Sequence, residues 1–246
     1  MTEPDAKTKP LGRLEGVVTQ LLCKRASVSS VRDIAPGFRR VALAGDALRG
    51  VAWTPGQKVQ LMLGGWVQRT YTPLSWDVAA GVLELLAYAH GDGPGAAWAR
   101  ALVPGLSCAV FGPRSSLDLP RLARPALLFG DETSFGLAHA LRFTPAAGEG
   151  VHVVLEVSSR PVSSVVLEEI GVSGAHLVER RSGDEHLNEV QELTTHLVAT
   201  HAIEAGVLSG KAPSIAHVSK HLRRLGLPRA QLQTKAYWAP GKTGLD

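Results

Sequence analysis

The chain has 246 residues, 45% of them hydrophobic, with 26 glycines, 15 prolines and a formal net charge of +4. That length suits one large domain or two modest ones, and the composition is that of a globular protein rich in strands and turns, which excludes a disordered or coiled-coil chain. The positive excess is small and lacks interleaved aromatic and basic residues, and the apolar runs are strand-sized, so neither nucleic acid nor membrane is expected as a partner.

Residues 1–11 read as a flexible terminus: Met1 to Pro10 are polar, with no apolar core segment of a secretion signal behind them, which points to the cytoplasm. Residues 12–122 form the first expected domain. Short apolar runs at 17–22, 38–43, 58–63, 68–72, 82–89 and 107–111 alternate with Gly and Pro turns, the pattern of an antiparallel six-stranded β-barrel, and the one clear helix follows Pro94. Near residue 123 the pattern changes. Strands at 125–129, 151–157, 175–179, 206–209 and 232–237 alternate with helices at 133–142, 162–170, 185–200 and 214–225, which predicts an α/β nucleotide-binding domain with a parallel sheet over 123–246. No long apolar helix stripe is present, so a monomer is expected.

Two runs in the first domain carry chemistry. Arg69-Thr70-Tyr71-Thr72-Pro73 offers a cation, a phenol and hydroxyls at a strand end, with Arg69 and Tyr71 on one face and Thr70 and Thr72 on the other. A guanidinium suits a phosphate, an aromatic ring suits a planar partner, and a hydroxyl or amide suits a flavin's polar edge. About twenty residues later comes His90-Gly91-Asp92-Gly93-Pro94-Gly95, which opens a helix with Ala96, Ala97 and Trp98. Backbone amides at such a start carry partial positive charge, and glycine lets a phosphate come close. Each run alone also reads as an ordinary strand end or turn; their order and spacing point to a flavin. Cys23 and Cys108 form no CxxC and no iron–sulfur run, so electrons must pass through an organic cofactor. The nine histidines form no His/Cys cluster, and no structural metal is expected.

In the second half, strand 126–129 ends in Gly130-Asp131-Glu132-Thr133-Ser134 just before a helix. Ligands of doubly wound sheets bind at such strand ends, so a nicotinamide donor would meet the domain here. The turn lacks a full GxGxxG, and its acids would repel a pyrophosphate, so Asp131 or Thr133 also reads simply as a helix cap. Ser158-Ser159-Arg160 and Glu179-Arg180-Arg181-Ser182 end two further strands. Either edge suits the 2'-phosphate of NADPH, and the arginines of both also read as solvated surface charges. Lys220, Arg223 and Arg224, then Lys235 and Lys242, make a basic corner around Tyr237-Trp238 that would attract an anionic substrate.

With these residues in hand the sequence resembles the siderophore-interacting proteins, FAD-dependent ferric-siderophore reductases related to ferredoxin-NADP reductases. The resemblance spans nearly the whole chain. It rests on Arg69-Thr70-Tyr71-Thr72, on His90 through Ala99, on Pro104-Gly105 with Gly112-Pro113-Arg114, on Gly130-Asp131-Glu132-Thr133, and on Tyr237-Trp238 with Gly241. It implies that Arg69, Thr70, Tyr71 and Thr72, with His90, the Gly93–Trp98 helix start, Asp131, Thr133 and Trp238, hold FAD. Gly130, Glu132, Ser158, Arg160 and Arg180 would lie on the side of an NADPH or NADH donor, and Lys220, Arg223, Lys235 and Lys242 would meet a ferric siderophore. The implied reaction is reduction of Fe(III)-siderophore to release Fe(II), with no catalytic acid or base. A flavin reductase serving a protein such as a ferredoxin, and a non-catalytic siderophore-binding flavoprotein, are the alternatives. The chain departs from the family pattern at Gly95, at Phe135-Gly136 and at Ser209-Gly210-Lys211, where an acid is usual.

Overall fold

The computed structural model describes residues 22–64, 67–143 and 150–242, so most of the strand expected at 17–22 lies outside the described residues. The chain divides into two compact units. One is built from the chain up to Arg114, the other from Ser115 onward with Ile34–Pro36 and Thr54–Gln57.

The first unit is an antiparallel sheet of β1 (Lys24–Ala35), β2 (Phe38–Ala44), β3 (Lys58–Gly64), β4 (Val67–Tyr71), β5 (Ser75–Asp77), β6 (Val82–Tyr88) and β7 (Ser107–Arg114). Their order is β4-β3-β7-β1-β2-β6-β5, seven strands where six were expected, and the two end strands do not pair to close a barrel. The antiparallel class is as expected. Two strands escape a search for apolar runs: β1 reads KRASVSSVRDIA and buries little beyond Ala26 and Val28, and β5 has three residues. Strands β2 and β6 show the opposite case, pairing from Phe38↔Tyr88 to Ala44↔Val82 with Val41, Leu43, Leu83 and Leu85 fully buried. Each such side chain contributes about 1.5–3 kcal/mol by leaving water.

Helix α1 (Pro94–Ala101) lies against β3, β4 and β6 and buries Ala96 and Ala99. Its last carbonyls are held by Arg39, whose Nη1 donates to Ala99 O at 2.8 Å and Leu102 O at 3.1 Å. A cation at a helix C-terminus satisfies orphan carbonyls and opposes the negative end of the dipole. That anchor leaves the other end of α1 facing outward.

The second unit is a parallel sheet ordered β10-β9-β8-β11-β12, from β8 (Ala126–Gly130), β9 (Val151–Val157), β10 (His176–Glu179), β11 (Ala205–Lys211) and β12 (Leu232–Trp238). Both β8 and β11 are buried at every position, as expected of strands covered on two faces. Helices α4 (His186–His201) and α5 (Ala212–Arg224) supply Leu187, Val190, Val218 and Leu222 against Leu127, Phe129 and Val154. Helices α2 (Phe135–Phe143) and α3 (Arg160–Glu169) contact β9 and β10. The chain steps outward from β8 to β10, then returns to the other side of β8 for β11 and β12. The reversal puts a topological switch point between the carboxyl ends of β8 and β11, where this architecture binds ligands.

Candidate functional site

In the first unit the two sequence motifs meet. Strand β4 pairs with β3 so that Leu61 faces Arg69, Gln60 faces Thr70 and Val59 faces Tyr71. Arg69 and Tyr71 both meet α1: the Tyr71 and Trp98 rings lie 5.7 Å apart, tilted by 45°, and the Arg69 side chain runs over Gly95. A Cβ on Gly95 would come within 3.0 Å of Arg69 Nε and 3.1 Å of its Cγ, so alanine here would require the Arg69 side chain to shift by a few tenths of an ångström. Burial pushes the Tyr71 hydroxyl above its ordinary range, against the pull of Arg69, so the ring is a neutral phenol with a proton to donate. Thr70 and Thr72 are half-buried beside it.

The start of α1 lacks its own cap. Gly93 at the N-cap offers no side chain, Pro94 has no N–H, and the first turn contains no acid. The amides of Gly95 and Ala96 therefore have no acceptor within the helix, while Ala97 N already donates to Gly93 O at 3.0 Å. Arg69 adds a full positive charge beside the positive end of the helix dipole. Two like charges so placed repel each other, and an anion between them reverses the sign. A stacked ladder runs nearby: Phe38 on Tyr88 at 4.4 Å and Tyr88 on the exposed His90 at 4.9 Å.

In the second unit the switch point is closed by the chain's own acid. Asp131 is 1% exposed; its Oδ1 accepts from Thr133 N at 2.9 Å and from the Thr133 hydroxyl, and its Oδ2 accepts from Trp238 Nε1 at 2.7 Å. Burial raises its pKa to about 6, partly offset by the hydrogen bonds from Thr133 and Trp238. Glu132 is 4% exposed and accepts from Ser158 N at 2.6 Å and Arg180 Nη2 at 2.5 Å. Burial alone would raise its carboxyl, but Arg180 and the Ser158 hydrogen bonds hold it below the usual range. Arg180 also donates to Ser158 Oγ at 3.0 Å and Glu156 O at 2.8 Å, so its donors already serve the chain. Of the residues expected on the donor side, Gly130 lies against Ser134 and Ser209, while Glu132, Ser158 and Arg180 form one hydrogen-bonded cluster. Arg160 does not join it, and instead shares Glu189 with Arg181 at 2.7 and 2.8 Å.

The basic corner is drawn from both α5 and β12. Helix α5 leaves the carboxyl edge of the sheet at Ala212 and runs back about 20 Å, which carries Lys220 and Arg223 toward the amino edge. Lys235 faces Ser209 across the β11–β12 ladder, and Lys242 lies in the turn beyond Trp238. Lys211, the base at the unusual Ser-Gly-Lys turn, is 8% exposed and donates to Asp184 Oδ1 at 2.6 Å. Asp184 is thereby held below its ordinary pKa. Sequence reading missed this pair, because its acid lies on another loop. It also missed the buried set in which Glu156 Oε2 meets His186 Nε2 at 2.8 Å and Ser214 Oγ at 3.0 Å. His217 and His221 stand four apart on α5 and are engaged by Gln191 and Thr195. Among the described residues no group of three or more His, Cys, Asp or Glu is arranged to hold a metal. No helix among them is long and apolar enough to cross a membrane.

Residues 64–117 match the model of the siderophore-interacting FAD-binding domain family. The matched stretch contains Arg69 to Thr72, His90 and the whole start of α1. The matched stretch is thus the part of the chain whose helix start has no side-chain cap and no acid in its first turn. Solved structures share the fold across both units. A siderophore utilization protein from T. fusca is 22% identical with a TM-score of 0.69, covering 91% of this chain and 95% of that one. The siderophore-interacting protein SipS from Aeromonas hydrophila is 22% identical with a TM-score of 0.72, covering 90% and 93%. The ferredoxin reductase in carbazole 1,9a-dioxygenase is 22% identical with a TM-score of 0.69, covering 88% of this chain and 67% of that one. The uncapped helix start, the Arg69 cation lying over Gly95 and the neutral phenol fit a dinucleotide flavin.

Proposed function

We propose that this protein is an FAD-dependent oxidoreductase that reduces Fe(III) held in a siderophore, releasing Fe(II). The observation that carries the reading is the start of α1, which has no side-chain cap and no acid in its first turn and has the Arg69 side chain lying over Gly95. Arg69 and the amides of Gly95 and Ala96 would hold the pyrophosphate. Tyr71 would lie along the ring system with its proton available to a polar edge, Thr70 and Thr72 would offer hydroxyls, and His90 would stack on the nucleotide portion. Pro94, Ala97 and Trp98 shape the helix start, with Trp98 bracing Tyr71. When bound, FAD supplies the conversion between a two-electron donor, NADPH or NADH, and one-electron transfer to Fe(III). The chain's residues bind and orient; none has to move a proton for the metal step. Fe(II) is held less tightly than Fe(III) by hard oxygen ligands, so reduction itself frees the metal. Lys235 and Lys242, on β12 and just beyond it, would attract an anionic chelate.

Anaerobic titration of the purified protein with NADH and NADPH, followed by a ferric chelate, tests the reading. The account expects a flavin spectrum that bleaches with donor and recovers with ferric chelate. Protein that neither retains nor takes up FAD refutes it.

A further inference from the structure

We propose that Asp131 is a positioning residue that fixes the indole of Trp238 at the carboxyl edge of the parallel sheet, with Gly210 as the bare seat that makes room for it. A helix cap alone does not explain an acid at this position, because serine, threonine or asparagine caps as well. A carboxylate supplies two accepting oxygens that point apart. Here one takes the Thr133 amide and the other takes the indole N–H at 2.7 Å. Asparagine offers a single acceptor and would lose one of the two bonds.

Gly210 supplies the space. Its φ of +102° lies where side chains are strained, and a Cβ there would fall 2.5 Å from the Asp131 carboxyl. The β11–β12 ladder then slips: Gly210 faces Ala236, but Lys211 faces Trp238, leaving Tyr237 as the extra residue of a bulge. Bulges of this kind re-aim a side chain beside a functional site. Three local features therefore converge on one ring. The charged groups around Asp131 are Glu132 in its own turn, Glu156 on β9 and Arg180 after β10. Both acids oppose its ionisation, and Arg180 is engaged by Glu132. Proton uptake by Asp131 removes accepting capacity from its carboxyl and so alters the hydrogen bond to the indole.

The indole N–H resonance of Trp238 in the full-length, FAD-loaded, 15N-labelled protein tests this, with its assignment taken from the signal lost in Trp238→Phe. In the wild type the resonance should titrate with a midpoint near 6. In Asp131→Asn it should be displaced at neutral pH and lose that titration. A wild-type resonance that does not titrate near this pH overturns the proposal without any variant, and so does a titration that survives in Asp131→Asn. The consequence for turnover, a donor-driven flavin reduction rate carrying the same midpoint, rests on the proposed function. If the protein takes up no FAD, that reading fails while the indole titration still decides the role of Asp131.

Discussion

At the start of α1 the amides of Gly95 and Ala96 have no partner in the helix, and the Arg69 side chain lies over Gly95. At the Gly130–Ser134 turn that leads into α2, the Asp131 carboxylate takes the Thr133 amide, and the Ser134 hydroxyl accepts from Asp131 N. Both segments follow a strand, and both read in the sequence as glycine-containing turns before a helix. One leaves its donors for a visiting anion and adds a cation. The other carries its own anion and has no unfilled need for another. On the proposed reading the same dipole is left for a ligand in one unit and serves internal bracing in the other, and the side chain at or beside the N-cap decides which.

The sharpest way to break the self-capped region is Gly210→Ala. It places a Cβ against a buried carboxylate in a backbone region that disfavours side chains, and should cost about 3 kcal/mol in denaturant unfolding. Gly91→Ala, at a φ of +62° with open space around it, is the control and should cost about 1 kcal/mol. Next comes the charge of the carboxylate itself. Asp131 titrates at about 6, above its ordinary 3.8, so burial favours the protonated folded state. That contribution is complete below the ordinary carboxylate range and is lost as pH rises through 6. The stability of Asp131→Asn relative to wild type should therefore improve by about 2–3 kcal/mol between pH 4 and pH 7. A flat difference across that range would show that the carboxyl is not desolvated.

On the open side, Arg69→Ala should weaken FAD binding about tenfold to a hundredfold, the worth of a charge-assisted phosphate contact, with unfolding stability little changed. Gly95→Ala should act in the same direction but by less. The methyl pushes Arg69 aside by a few tenths of an ångström, so FAD affinity should fall severalfold while α1 gains slightly from alanine's higher helix propensity. Equal FAD affinity in both variants and wild type would mean that Arg69 does not meet the cofactor.

Most of the second unit was legible because its strands are continuous apolar runs such as ALLFG, broken by helices of clear period. The α1 start was legible for a similar reason, since Gly, Pro and Trp have few other uses in that order. Strand β1 was not, because its alternation is carried by alanine, serine and valine, which an apolar scan passes over. The buried acids were seen as residues but not as a network. Glu132 finds Arg180 across 48 positions, and Asp131 finds Trp238 across 107, so no local pattern announces either pair. Likewise the basic corner looked continuous along the chain, but α5 and β12 run in opposite directions and separate Lys220 from Lys242.

Equilibrium titration with riboflavin and with FAD, side by side in wild type and Arg69→Ala, tests the central claim most directly, since the two ligands share the ring system and differ by the phosphates and adenosine. The account predicts that wild type prefers FAD strongly and that Arg69→Ala loses most of that preference. Equal affinity for the two ligands in wild type, or a preference untouched by the loss of Arg69, would contradict it.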